Sequence, residues 1–122
     1  MNIAINLFGQ GRIEECLHFT RLCLERAVAE KELERVGMAL LVLARCQAHQ
    51  QSDKWEDTCL QLLQNIGAYP PGILREALLT YSQLAGERGR LFEAEGYFMQ
   101  AQGVEVGEGL EGLILPTYDF SY

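Results

Sequence analysis

The chain has 122 residues, which is the size of one domain with one continuous core. Its hydrophobic share of 48% and charged share of 22% are typical of globular proteins, and no apolar run approaches the roughly 20 residues of a membrane-spanning helix. The net charge of −7 argues against direct binding of nucleic acid, and the N-terminus lacks the basic and apolar regions of a secretory signal, so we expect a cytoplasmic protein that does not associate with membranes.

Hydrophobic periodicity and turn residues predict six helices. The first covers residues 1–9 and ends at a glycine-rich turn, and the second covers residues 12–30. A polar gap at residues 30–32 precedes a third helix over about residues 33–50. The Asp53-x-x-Glu56 spacing of a capping box predicts the start of the fourth helix, and Gly67 its end. Proline at a first helical position predicts a fifth helix over residues 71–88, and the sixth covers residues 90–102.

The sixth helix carries a pattern that recurs along the chain. Apolar residues at spacings of three, four and three share one helical face, with small side chains around a large one: Leu91, Ala94, Phe98 and Ala101. The same spacings occur 78 residues earlier, at Ile13, Cys16, Thr20 and Cys23, and a looser copy begins at Ser52. A period of roughly 35–45 residues is typical of two-helix repeats, which bury their apolar faces by stacking on their neighbours.

These residues resemble the tetratricopeptide (TPR) repeat family. The segment 89–101 is similar to the second helix of such a repeat, and the first helix of the same repeat is matched by Leu78, Tyr81, Ser82 and Ala85. Leu43-Ala44 and Ile3-Ala4 match the corresponding pair in the other two repeats, while Cys16, Thr20 and Cys23 depart from the pattern. The resemblance covers about residues 1–102, and its long period is similar to the TPR-like arrays of bacterial signal-responsive regulators.

The resemblance implies an all-α fold: a right-handed superhelix of three antiparallel helix pairs over residues 1–102, followed by a C-terminal tail. In this family the first helix of each pair lines a concave groove that holds a peptide or a partner helix. The positions of this chain that the resemblance places on that face are Ile5, Phe8, Met38, Leu41, Arg45, His49, Leu79, Gln83 and Glu87.

Four of these groove residues have an ordinary alternative. At mid-groove, Arg45 is expected to pair with a carboxylate of the partner, and the alternative is that Arg45 and His49 simply face solvent. For Leu41 and Leu79 the alternative is plain packing in the core, which the apolar periodicity favours.

The tail, residues 103–122, begins with a glycine-rich acidic stretch and continues with an apolar and aromatic segment that we predict to be extended. We expect this segment to lie in a groove of its own chain or of a neighbour, or to cap the open end of the array. Its candidate anchors are Leu113, Leu115, Tyr118 and Phe120.

Neither catalysis nor metal binding is predicted. Cys46 and His49 have the spacing of two ligands on one helix, but the paired spacings of zinc sites are missing from the sequence. The four cysteines are interpreted as small core residues, and no catalytic residues, metal or cofactor are expected. The sequence therefore predicts a protein- or peptide-binding module that self-associates. The alternative is the ligand- or peptide-sensing fragment of a bacterial transcription regulator.

Overall fold

The computed structural model describes residues 2–104. Within that range all regular structure is helical, which confirms the all-α class expected from the sequence. The tail anchors at positions 113, 115, 118 and 120 lie outside the described residues. The helices are α1 Asn2–Gly9, α2 Ile13–Ala29, α3 Leu33–His49, α4 Lys54–Gln64, α5 Pro71–Glu87 and α6 Leu91–Gln102, with a short 3-10 turn at Ile66–Ala68 between α4 and α5.

Four of the turns between helices close in the same way. Each contains one residue in the left-handed conformation, with φ between 58° and 80°: Gly11, Lys31, Gln51 and Gly89. The next amide donates to a carbonyl five residues back, as in Glu32 N to Ala27 O at 2.9 Å and Arg90 N to Ala85 O at 3.0 Å. This bond is the signature of a Schellman motif, which satisfies the last carbonyls of a helix. The short turns return the chain, so the helices that they join are antiparallel.

The predicted capping box at the start of α4 is not formed. Asp53 has a helical backbone conformation and makes no side-chain cap. Instead, the backbone amide of Lys54 donates to Ser52 Oγ at 3.3 Å, and Glu56 is used elsewhere in the fold. The left-handed residue of the turn between α3 and α4 is Gln51, and Ser52 follows it directly, two residues before the start of α4. Ser52 therefore supplies the capping oxygen that was expected from Asp53.

The helices α3 and α5 lie side by side at the centre of the molecule. Each has nine buried residues, more than any other helix of the described range. Their contacts join residues 35 to 40 positions apart, from Gly37 with Ile73 near one end to Ala48 with Arg88 at the other. Because this offset stays nearly constant along both helices, α3 and α5 run parallel. At its own end of the array, α1 contacts the last turn of α3 through Phe8 and His49.

Two apolar clusters form the core on either side of this helix pair. The first is built mainly from α1, α2 and α3 and includes Leu7, Cys16, Leu41, Val42 and Ile73. The second joins α3, α4, α5 and α6 and includes Ala48, Trp55, Cys59, Tyr81 and Leu84. Each cluster draws on both α3 and α5, so the packing of the whole domain depends on the distance between these two helices.

That distance is set at one point by a glycine, which generates the first prediction. A Cβ atom added at Gly37 would lie 2.8 Å from Ile73 Cγ2, which is closer than packed carbon atoms approach. Overpacking of this kind costs about 1–3 kcal/mol. Alanine also forms helix better than glycine by about 1 kcal/mol, so the expected net effect of Gly37→Ala is a loss of stability.

The matched control is Gly96→Ala in α6, where an added Cβ meets no atom within 4 Å. This change is expected to raise the free energy of unfolding by roughly 0.5–1 kcal/mol, because only the helix preference changes. Urea denaturation followed by circular dichroism measures both variants. Equal stabilisation by the two substitutions would show that α3 and α5 are not in close contact at Gly37.

Candidate functional site

The ends of α1, α3 and α5 surround an open cavity of about 590 Å³. Five of the nine groove residues expected from the sequence line it together: Phe8, Arg45, His49, Gln83 and Glu87. The lining also includes Ala48, Gln51, Leu84 and Arg88. We call this cavity the polar groove, since most of its lining side chains carry hydrogen-bonding groups.

The other four expected residues lie elsewhere. Met38 and Leu41 are buried in the first apolar cluster. Leu41 is 0% exposed, which agrees with the alternative of core packing considered for it. Ile5 is half-buried and packs against the same cluster. Leu79 is also half-buried, but it lines a different groove, between α5 and α6.

Arg45 is placed differently from both alternatives considered for it. Its side chain is 5% exposed and donates hydrogen bonds across to α5, from Nη1 to Gln83 Oε1 at 3.0 Å and from Nη2 to Thr80 Oγ1 at 3.2 Å. Glu76, one helical turn before Thr80, is also buried, and both charged residues are engaged within the fold. A buried charge is tolerated only when it is compensated. Arg45 therefore joins α3 to α5 and forms part of the floor of the polar groove.

A second arginine closes one end of the polar groove. Arg88 Nη2 donates to the carbonyl of Ala48 at 2.9 Å, and Nη1 donates to the carbonyl of Leu84 at 3.2 Å. Its guanidinium also lies 4.9 Å from the centre of the Trp55 ring. These carbonyls belong to the last turns of α3 and α5, where a cation is favoured by the helix dipole. With both arginines held by the fold, the exposed polar side chains of the groove are His49, Gln51 and Glu87.

A second groove of about 530 Å³ lies between α5 and α6, next to the polar groove. We call it the apolar groove, because its surface is mostly hydrocarbon. It is lined by Leu79, Ser82, Gln83, Gly86, Glu87, Leu91, Ala94 and Phe98. Gln83 and Glu87 line both grooves, so α5 is the wall between them.

A polar network that was not predicted from the sequence joins α4, α5 and the start of α6. Glu56 Oε2 accepts from the Tyr81 hydroxyl at 2.5 Å and from Arg90 Nη1 at 2.6 Å. These donors, Tyr81 first, hold the pKa of Glu56 below its ordinary value, whereas burial and the Glu56 carboxylate raise the pKa of Tyr81. Tyr81 also packs against Trp55 and Tyr97, with ring centres 5.4 Å and 4.4 Å away. The network is half-buried and contacts neither groove cavity, so its role is to hold the last three helices together.

Two of the cysteines meet inside the first apolar cluster. The Cys46 thiol donates to Cys16 Sγ at 3.4 Å, and both residues are fully buried. This hydrogen bond lowers the pKa of Cys16 to about 7 and raises that of Cys46. Burial raises the pKa of Cys59 to about 12. Among residues 2–104, no three His, Cys, Asp or Glu side chains lie close enough together to hold a metal ion.

Comparison of the chain with protein-family models, with curated proteins and with solved structures finds no match. The candidate site is therefore interpreted from its own residues. No helix within residues 2–104 has the length and apolar character needed to cross a membrane.

The polar network of Glu56 generates the second prediction. Glu56→Gln is expected to lower the free energy of unfolding at neutral pH by roughly 1–3 kcal/mol, because Tyr81 and Arg90 lose a charged acceptor. The pKa of Glu56 is lower in the folded chain than its ordinary value of 4.5. The stability that it contributes is thus fully present above that value and is lost as the pH falls further, through the folded-state pKa.

Urea denaturation at neutral pH and at about pH 3 measures this effect, since the second condition lies below the ordinary pKa of a glutamate. The loss of stability between the two conditions is expected to be smaller for Glu56→Gln than for the native chain. Glu95→Gln, at an exposed position of α6, serves as the control and is expected to behave as the native chain does. An equal acid-dependent loss in all three proteins would contradict the assignment of the network.

Proposed function

We propose that the chain is a TPR-like protein- or peptide-binding module, with its six helices arranged as a right-handed superhelix of three antiparallel pairs. The observation that carries the proposal is that residues from three separate helices line one open cavity: Phe8 from α1, Arg45 and His49 from α3, and Gln83 and Glu87 from α5. The parallel course of α3 and α5 supports the repeat arrangement, because equivalent helices of successive repeats run side by side.

The polar groove suits an extended peptide better than a compact apolar ligand. Its exposed side chains offer hydrogen-bond donors and acceptors at His49, Gln51 and Glu87, with the ring of Phe8 at one edge. Both groove arginines are held by the fold, which leaves Glu87 as the exposed charge of the cavity wall. The net charge of −7 adds a long-range attraction for a positive partner. We therefore propose a peptide with at least one basic residue as the partner, rather than nucleic acid or a membrane.

A matched pair of histidines tests this proposal. His49 lines the polar groove, whereas His18 is exposed on α2 and lines none of the described cavities. Peptides would be selected from a phage-displayed random library on the immobilised full chain, then measured in solution by fluorescence anisotropy. His49→Ala is expected to weaken their binding roughly tenfold, which corresponds to about 1.4 kcal/mol, and His18→Ala is expected to leave it unchanged.

Two results would overturn the proposal. One is a library that yields no peptide binding the folded chain. The other is a set of peptides whose affinity falls equally, or not at all, in the two histidine variants. Circular dichroism of both variants is the control for folding. Both are expected to keep their helices, because both positions are exposed.

Self-association, the second function expected from the sequence, stays a prediction. The first two helices expose large apolar side chains, among them Ile3, Phe19, Leu22 and Val28. Light scattering is expected to give about twice the chain mass of 13.7 kDa. Leu22→Lys is expected to raise the monomer fraction, and Phe92→Lys, at an exposed position at the other end of the array, is the control. A monomeric native chain at all concentrations would contradict self-association.

A further inference from the structure

The last helix of the described range has one face without a cover. Of the twelve residues of α6, one is buried, Ala101, whereas α3 and α5 each bury nine. Leu91 is 70% exposed, Phe98 is 46% exposed and Met99 is 62% exposed. A helix in a stacked array normally buries its apolar stripe against the unit that follows. This stripe therefore needs a covering element beyond Gln102.

The uncovered stripe forms one wall of the apolar groove. An added Cβ at Gly86 would lie 3.6 Å from Ala94 Cβ, so these two small residues bring α5 and α6 together at the floor. Leu91 and Phe98, one before and one after Ala94 in α6, are the large apolar side chains that line the groove. The result is a short trough, open to solvent, that accepts a few apolar side chains but offers little to a polar ligand.

We propose that residues 113–122 of the same chain occupy the apolar groove and cap α6. Seven of these ten residues are apolar or aromatic: Leu113, Ile114, Leu115, Pro116, Tyr118, Phe120 and Tyr122. The segment carries one charge, Asp119, whereas residues 105–112 before it carry Glu105, Glu108 and Glu111. The apolar part of the tail thus matches the hydrocarbon surface of the groove, and its acidic part fits a solvated connection.

The connection is long enough. The groove extends along α6 from Phe98 back to Leu91, which is roughly 6–17 Å from the end of the helix at Gln102. Eight connecting residues, 105–112, span up to about 26–29 Å when extended. Three of them are glycine, at positions 107, 109 and 112, which lets the chain reverse its direction without steric cost.

The same chain is a better occupant than a second copy. A connection of eight residues gives the segment an effective concentration in the millimolar range, so a weak apolar contact is enough to fill the groove. This inference does not depend on the proposed function, because it rests on the apolar side chains of α6 and of the tail, and its test changes no residue that lines the polar groove.

A double-mutant cycle on the full chain tests the proposal. The groove change is Phe98→Ala, at a position exposed enough that the core stays intact. The tail change is the pair Tyr118→Ala and Phe120→Ala. Each is expected to lower Tm by roughly 3–6 °C, the shift that about 1 kcal/mol produces in a domain of this size. Together they are expected to lower Tm no more than the larger single change, because both remove the same contact.

The control is Phe92→Ala, a 92% exposed residue of α6 that does not line the groove. Its effect on Tm is expected to be small and additive with the tail change. Additivity between Phe98→Ala and the tail change would overturn the proposal. So would a coupling that disappears on dilution, because that result would identify a second copy as the occupant.

Proteolysis gives an independent readout. Chymotrypsin cleavage after Tyr118, followed by mass spectrometry of the intact chain, reports how often the tail leaves the groove. Cleavage is expected to be roughly tenfold faster in Phe98→Ala than in the native chain, and unchanged in Phe92→Ala. Equal cleavage rates in all three proteins would show that the tail is not held by the groove.

Discussion

The parallel contact between α3 and α5 is the constraint on which the remaining structure depends. It is tight at Gly37, where Ile73 occupies the space of the missing side chain, and polar at Arg45, which donates to Thr80 and Gln83. Burying a guanidinium costs several kcal/mol unless its hydrogen bonds are made. The helices therefore cannot slide along each other by a turn. Such a shift would separate Arg45 from its hydrogen-bond partners, and it would place Ile73 against a residue of α3 that has a side chain, where Gly37 has none. Apolar packing brings the helices together, and these two contacts fix their register.

This register determines which side chains meet in the polar groove. His49 and Arg45 lie one turn apart near the end of α3, and Gln83 and Glu87 have the same spacing near the end of α5. With an offset of 35 to 40 residues between contacting positions, these two pairs face the same cavity. A different offset would place Glu87 beyond the end of α3. The polar groove is thus a consequence of the packing of α3 against α5, and the short turns serve only to connect the helices.

The sequence predicted the parts of the fold that are local. Helix lengths followed from periodicity, and glycine marked two of the four Schellman turns, while a polar gap sufficed to place the turn at Lys31. Contacts between helices could not be predicted in the same way. Leu41 and Leu79 are the same residue type on matching helices, yet Leu41 is fully buried and Leu79 borders a groove. The difference arises from the neighbouring helices: within residues 2–104, Leu41 packs in the first apolar cluster, whereas Leu79 borders the open space between α5 and α6, and periodicity within one helix does not record such neighbours.

Charged residues show the same limit more clearly. Glu56 looked like part of a capping box, but its partners Tyr81 and Arg90 lie 25 and 34 residues away. Gln83 is the most informative case, because one side chain serves both grooves: its Oε1 is held by Arg45 on the polar side, while the residue also lines the apolar groove. The buried guanidinium therefore fixes the wall between the two grooves as well as the register of the helices. The side chains that line the two grooves are therefore positioned in part by a charged residue that is only 5% exposed.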